Sequence, residues 1–182
     1  MKISFFDYEM SNLSPKFGQL LCGCMLGYDP RNPRGYNLQT FTLTDYKVRR
    51  WDDRELAKKL RDALEGCDII VSWNGKHFDI PFLNGRLAEY QLREVNSPRH
   101  EDLMFTARRH LRCMGAKDSK LDTIAKKLRL PVQKTPMEPR DWVRAIGGHR
   151  PSYDRILQHC QHDVKVLAFV WERLKHLVRE IK

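Results

Sequence analysis

The order of segments along the chain predicts a mixed α/β layered domain. Two observations lead to it. The first part of the chain is built of short aromatic-rich or alternating segments that read as strands. After it, strand and helix signals alternate, and the last part is helical. At 182 residues the chain suits one domain, expected to span residues 1–182.

Ile3 to Glu9 is short, aromatic and strand-like; Phe17 to Leu26 is a nearly continuous apolar run, and Tyr36 to Leu43 alternates apolar and polar residues. Pro15 and the cluster Asp29 to Gly35 punctuate them, giving an expected three-stranded antiparallel meander. A helix is expected from about Asp53 to Glu65, with Leu56, Leu60 and Leu64 on one face and Gly66 as its stop. Asp68 to Trp73 reads as a buried strand, Asn74-Gly75 as a turn, and Pro81 as the opening of a helix containing Leu83, Leu87 and Tyr90. A short strand from Arg99 to Leu103 and a helix over 104–111 follow, with Asp102 as the helix cap. Ser119 and Asp122 resemble a capping box for a helix carrying Leu121, Ile124, Ala125 and Leu128. Residues 131–151 are rich in proline and predict a loop with a short helix around Trp142, and a long helix closes the chain from about Tyr153 to Val178.

Lys and Arg total 33 against 23 acids, a formal charge of +10. That excess favours a polyanionic partner, because each phosphate neutralised releases counterions. No apolar run approaches the roughly 18 to 20 residues that span a bilayer, and the first residues do not read as a signal peptide. A cytoplasmic protein with no membrane partner is expected. The five cysteines include no CxxC pair and read as reduced, small buried hydrophobes.

Some acids stand in unusual places. Asp7 and Glu9 share one face of a strand, where two carboxylates repel unless a cation lies between them; taken alone, a solvated strand end explains them better. On the last helix, Ile156, Cys160, Leu167, Val170, Leu174 and Leu177 form an apolar stripe in steps of four and three, and Asp163 occupies the same register. A carboxylate there is costly unless it is paired or ligates a metal; a frayed helix edge or an arginine partner would explain it equally well. His159 is one turn earlier and reaches the same place. His162 points elsewhere and reads as a surface residue, and His77 as a loop histidine. Asp79, just before Pro81, would by itself pass for a helix cap.

Together these segments resemble the DnaQ-like, or DEDD, 3′-5′ exonucleases of the RNase H-like superfamily. The motifs are Phe5-Phe6-Asp7-Tyr8-Glu9, then Trp73-Asn74-Gly75-Lys76-His77-Phe78-Asp79-Ile80-Pro81, then His159-Cys160-Gln161-His162-Asp163. The second is the most specific and is close to a segment of family B polymerase proofreading domains. The third is nearest to the branch with Tyr-x-x-x-Asp, but His159 stands at the tyrosine's position. The histidine branch has four intervening residues, where this chain has Gln158; one residue on a helix is a rotation of about 100°.

The resemblance implies an α/β, RNase H-like layered domain: a central mixed sheet, made of the antiparallel meander plus parallel strands, flanked by helices. It also implies stepwise hydrolysis at the 3′ end of a nucleic acid, releasing nucleoside 5′-monophosphates by a two-metal mechanism. Asp7, Glu9, Asp79 and Asp163 would be both catalytic and metal-binding, holding two Mg²⁺ or Mn²⁺ ions, with Asp7 bridging them and Asp79 acting through bound waters. His159 would orient or deprotonate the water. Asn74 and Phe78 would contact the terminal nucleotide, although core packing explains Phe78 equally well. Lys76 and Arg86 are positioned as phosphate contacts. The expected partner is nucleic acid with single-stranded 3′ ends, DNA or RNA, with a polymerase or repair protein in trans as a further expectation. The rivals are an RNase H-like endonuclease, of the RNase H or junction-resolving type, and a non-catalytic nucleic-acid-binding module.

Overall fold

The computed structural model describes residues 1–29, 32–43, 52–96, 98–112, 117, 119–131 and 137–178. Strands β1 (Ile3–Met10), β2 (Leu20–Asp29), β3 (Asn32–Thr42), β4 (Ile69–Ser72) and β5 (Arg99–Asp102) form one five-stranded sheet in the order β3-β2-β1-β4-β5. β1 runs antiparallel to β2 and parallel to β4, β2 pairs antiparallel with β3, and β4 pairs parallel with β5. The expected mixed sheet, a meander joined to parallel strands, is therefore the one observed. Its helices are α1 (Arg54–Glu65), α2 (Asp79–Glu89), α3 (Leu103–Leu111), α4 (Leu121–Lys127), α5 (Pro139–Ile146) and α6 (Arg150–Leu174).

β1 is central, and its side chains alternate between two cores. Phe6, Tyr8 and Met10 pack with Leu56, Leu60 and Leu64 of α1 and with Phe82, Leu83 and Leu87 of α2. Ile3 and Phe5 face the other way, into the cluster built by α6. The same period of two carries Asp7 and Glu9 to the α6 side. Helix α6 docks there through its apolar stripe, with Ile156, Cys160, Leu167, Val170 and Leu174 all buried. The Cys160 thiol donates to the Asp7 carbonyl at 3.2 Å, and Trp171 meets Phe5 edge-on at 6.0 Å.

Several boundaries differ from expectation, each for a local reason. β2 begins at Leu20 rather than Phe17, because the N–H groups of Phe17 and Gly18 both donate to the Ser14 carbonyl (3.2 and 2.8 Å). That turn leaves Phe17 74% exposed. β3 begins at Asn32, inside the expected turn cluster; it is an outer strand, where Pro33 can be tolerated. α2 begins two residues before Pro81, since a proline in a first turn gives up an N–H that has no helical acceptor. Pro151 plays the same part in α6. Ser119 does not cap α4: Lys120 holds the cap position, with no side-chain cap bond.

Candidate active site

β1 and α6 bring the first and third groups of acids together. His159 and Asp163, one turn apart on α6, each have a side chain only 5% exposed, and His159 Nε2 lies 3.8 Å from Asp163 Oδ2. The same nitrogen lies 3.9 Å from Glu9 Oε1 of β1, whose side chain is 13% exposed. Asp7, Glu9, Asn74, His159 and Asp163 line one cleft of about 1040 Å³.

The turn after β4 brings Asn74 to this cleft with φ 67°, a left-handed conformation that asparagine tolerates better than most residues. Asp102 holds it there. Its carboxylate accepts from the N–H of Asn74 (2.8 Å), Lys76 (3.1 Å) and Met104 (3.2 Å). Asp102 thus caps α3, as expected, and also ties down the turn, which the capping pattern alone did not reveal. Burial raises its pKa, and the N–H donors oppose that rise. The Gly75 N–H donates to Ser72 Oγ at 3.1 Å.

Asp79 and Phe78 are not among the residues lining the cleft. Asp79 is 5% exposed in the first turn of α2. Burial pushes its carboxyl up to about 7, against N–H bonds from Tyr8 and from its own backbone, while Asp102 adds to the rise. Asp79 nonetheless acts electrostatically on Tyr8, the neighbour of Asp7 on β1. Phe78 is half-buried on the α1–α2 core, with its ring 6.4 Å from that of Phe82.

Two expected assignments change. Arg86 is not a phosphate contact; it is buried, and its Nη2 meets Asp53 Oδ1 at 2.6 Å. Asp53, wholly enclosed, also accepts from Tyr90 Oη (2.6 Å) and the Leu20 N–H (2.6 Å), which accounts for an arginine in the core. His162 is half-buried rather than a surface residue, with Nε2 enclosed. Lys76 and His77 are exposed, His77 edge-on to Phe105 at 5.1 Å. Trp142, which sequence reading placed only on a short helix, lines the cleft with its ring 6.4 Å from and nearly perpendicular to that of His159. Cys22, Cys24, Cys67 and Cys160 are buried free thiols. Burial, then hydrogen bonding with Cys22 and Cys24, raises the Cys160 pKa well above its usual value. Cys113 lies outside the described residues.

Among the described residues, no group of three or more His, Cys, Asp or Glu side chains closes into a metal-holding cluster. The donor chemistry nevertheless fits a hard divalent cation: mutually repelling carboxylates with little exposure gather around one imidazole, offering mainly oxygen ligands.

A family model described as the RNase_H superfamily matches residues 4–175. The chain belongs to the RNase H superfamily. Among solved structures, this superfamily member is similar to the family B DNA polymerase from the hyperthermophilic archaeon Pyrobaculum calidifontis, with a TM-score of 0.68 at 16% identity. The match covers 94% of this chain and 24% of the polymerase chain, so this chain spans about a quarter of that protein's length. At such identity the likeness is one of fold. No curated protein matches the chain. No described helix is long and apolar enough to cross a membrane.

Proposed function

We propose that this RNase H superfamily member is a metal-dependent 3′-5′ exonuclease of the DnaQ-like (DEDD) kind, acting on single-stranded 3′ ends. The observation that carries the reading is the meeting of Glu9, His159 and Asp163 within 4 Å contacts beside Asp7. Three segments far apart in sequence supply one cleft with acids, an imidazole and the asparagine of the Asn74 turn.

Asp7, Glu9 and Asp163, with Asp79 of the first turn of α2, would hold two divalent cations. Bound there, Mg²⁺ or Mn²⁺ would polarise the phosphoryl group and lower the pKa of an attacking water. His159 orients that water and takes its proton, a task for which an imidazole between two carboxylates is suited. The water oxygen bonds to phosphorus as the bond from phosphorus to the 3′ oxygen of the preceding nucleotide breaks. The electron pair stays on that oxygen, and a nucleoside 5′-monophosphate leaves. Asn74, fixed in its left-handed turn, hydrogen-bonds the terminal nucleotide.

The test is a 5′-labelled linear oligonucleotide, in DNA and RNA versions. A ladder of single-nucleotide steps is expected with Mg²⁺ or Mn²⁺, and Asp163→Asn should slow it at least about a hundredfold. An equal rate in excess chelator would sink the metal mechanism. Cleavage of closed circles would favour an endonuclease, and binding without any cleavage would favour a non-catalytic module.

A further inference from the structure

The cleft also holds an arginine that the four acids and His159 leave unexplained. Arg108, in the last turn of α3, lines the cleft and is half-buried. Its Nη2 donates to Ser119 Oγ at 3.1 Å, while its Nε is enclosed with no acceptor among the described residues. Other arginines held in the fold have carboxylates beside them: Arg61 has Asp62 at 2.7 Å, and Arg86 has Asp53 at 2.6 Å. Among the described residues no carboxylate pairs with Arg108. A guanidinium drawn out of water without an anion is unfavourable, and its planar fork matches the oxygens of a phosphate.

The wall is built to hold this group. Ser119 is 3% exposed; its hydroxyl takes Arg108, and its carbonyl accepts the Trp73 indole N–H at 3.0 Å. Arg108 is thereby fixed relative to Trp73 and so to the adjacent Asn74 turn. Lys126 and Lys120 also line the cleft, but Lys126 is engaged by Asp122 at 2.7 Å and Lys120 is exposed to solvent, whereas Arg108 is half-buried. The acids at the β1–α6 wall repel a polyanionic strand, so a strand lying in the cleft needs a cation elsewhere along it.

Building on the exonuclease reading, we propose that Arg108 grips a backbone phosphate of the nucleic-acid strand in the cleft, a phosphate other than the one being cleaved. Arg108 is then a binding residue and takes no part in the chemistry. Its contribution should be the same for every base sequence and sensitive to salt.

The probe is a fluorescein-labelled single-stranded DNA of about 12 nucleotides, titrated with the full chain in chelator at about 50 to 200 mM salt. Arg108→Gln loses the charge and, being shorter, also the bond from Nη2 to Ser119, while keeping an amide donor at the position of Nε. Its Kd should rise about tenfold, and the slope of log affinity against log salt should become shallower by about 0.7. Arg108→Lys should keep the slope and lose several-fold in affinity, because one ammonium replaces the two-pronged contact. In the cleavage assay Arg108→Gln should raise KM with kcat little changed.

Circular dichroism checks folding; if Arg108→Gln fails to fold, Arg108→Lys decides, and wild-type affinity in it overturns the proposal. Wild-type affinity and slope in folded Arg108→Gln also overturn it, and the exonuclease reading stands if the wild type trims ends. A wild type that binds but trims nothing with Mg²⁺ or Mn²⁺ overturns the exonuclease reading, while the slope still decides Arg108. A wild type that neither binds nor trims overturns both.

Discussion

His100, on β5, lies between the Phe6 ring, 5.4 Å away, and Ser72 Oγ, 2.7 Å from its Nε2. Burial, helped by the Lys76 charge, pushes its pKa down from 6.5 to about 4. The folded chain therefore binds fewer protons here than the unfolded chain between those values. Stability from this group is complete above about pH 6.5 and is lost as pH falls through about 4, amounting to about 1–3 kcal/mol for a partly enclosed ring. Urea unfolding at pH 7.5 and pH 5 should show this loss in the wild type and a smaller one in His100→Gln; equal pH dependence in both would contradict the assignment. Nothing around His100 in the sequence announces this burial, because its partners come from β1 and β4. Asp163 is the opposite case. It interrupts an apolar stripe whose spacing is visible in one segment, which marks it as core-facing, and its 4% exposure decides against the frayed helix edge that would have explained it equally well. Asp79 read as a plausible cap, and its burial at 5% exposure could not be seen from its own segment.

Between single residues and the whole fold, the turn joining β4 to α2 positions more of the cleft than its length suggests. A Cβ added at Gly75 would lie 2.5 Å from Ser72 Oγ and 2.7 Å from Ser72 Cβ. The same hydroxyl accepts the Gly75 N–H and meets His100. Gly75→Ala must therefore push the turn away from β4 and disturb the fixed conformation of Asn74. Stability should fall by about 1–3 kcal/mol, and cleavage at a temperature where the variant stays folded should fall by a larger factor. A variant that loses stability but keeps the wild-type rate would show that the turn is only structural. Elements with a strong period, such as α1 and α6, were legible because apolar spacing reports one buried face. The misplaced starts of β2 and β3 and the missing cap of α4 lie where local turns, strand position and side-chain partners decide, which no apolar period marks. Ser119 is the sharpest example: its sequence context suggests a cap, yet its hydroxyl goes to Arg108.

At the scale of the molecule, the site exists because β1 is central. Its parallel neighbour β4 brings Ile69 beside Ile3, and α6 crosses it from the far end of the chain. Segment order made the meander and the layered α/β class readable, and the family resemblance supplied the parallel strands of the sheet, whereas the cleft wall formed by α3, α4 and α5 was not readable, since no motif marks it. The net charge of +10 acts over the same scale and gives two salt effects of opposite sign. Folding gathers like charges, so added salt should relieve self-repulsion and stabilise the fold by about 1–2 kcal/mol between low and moderate ionic strength. For a chain of this size that corresponds to a Tm higher by a few degrees, roughly 2–8 °C. Binding to a polyanion should weaken over the same range, as condensed counterions are no longer released at a profit in entropy. Scanning calorimetry and oligonucleotide titration in matched buffers would check both signs. If Tm fell as salt rose, internal attraction between charges would dominate the fold; if affinity did not fall, the excess of Lys and Arg could not be read as a surface kept for nucleic acid.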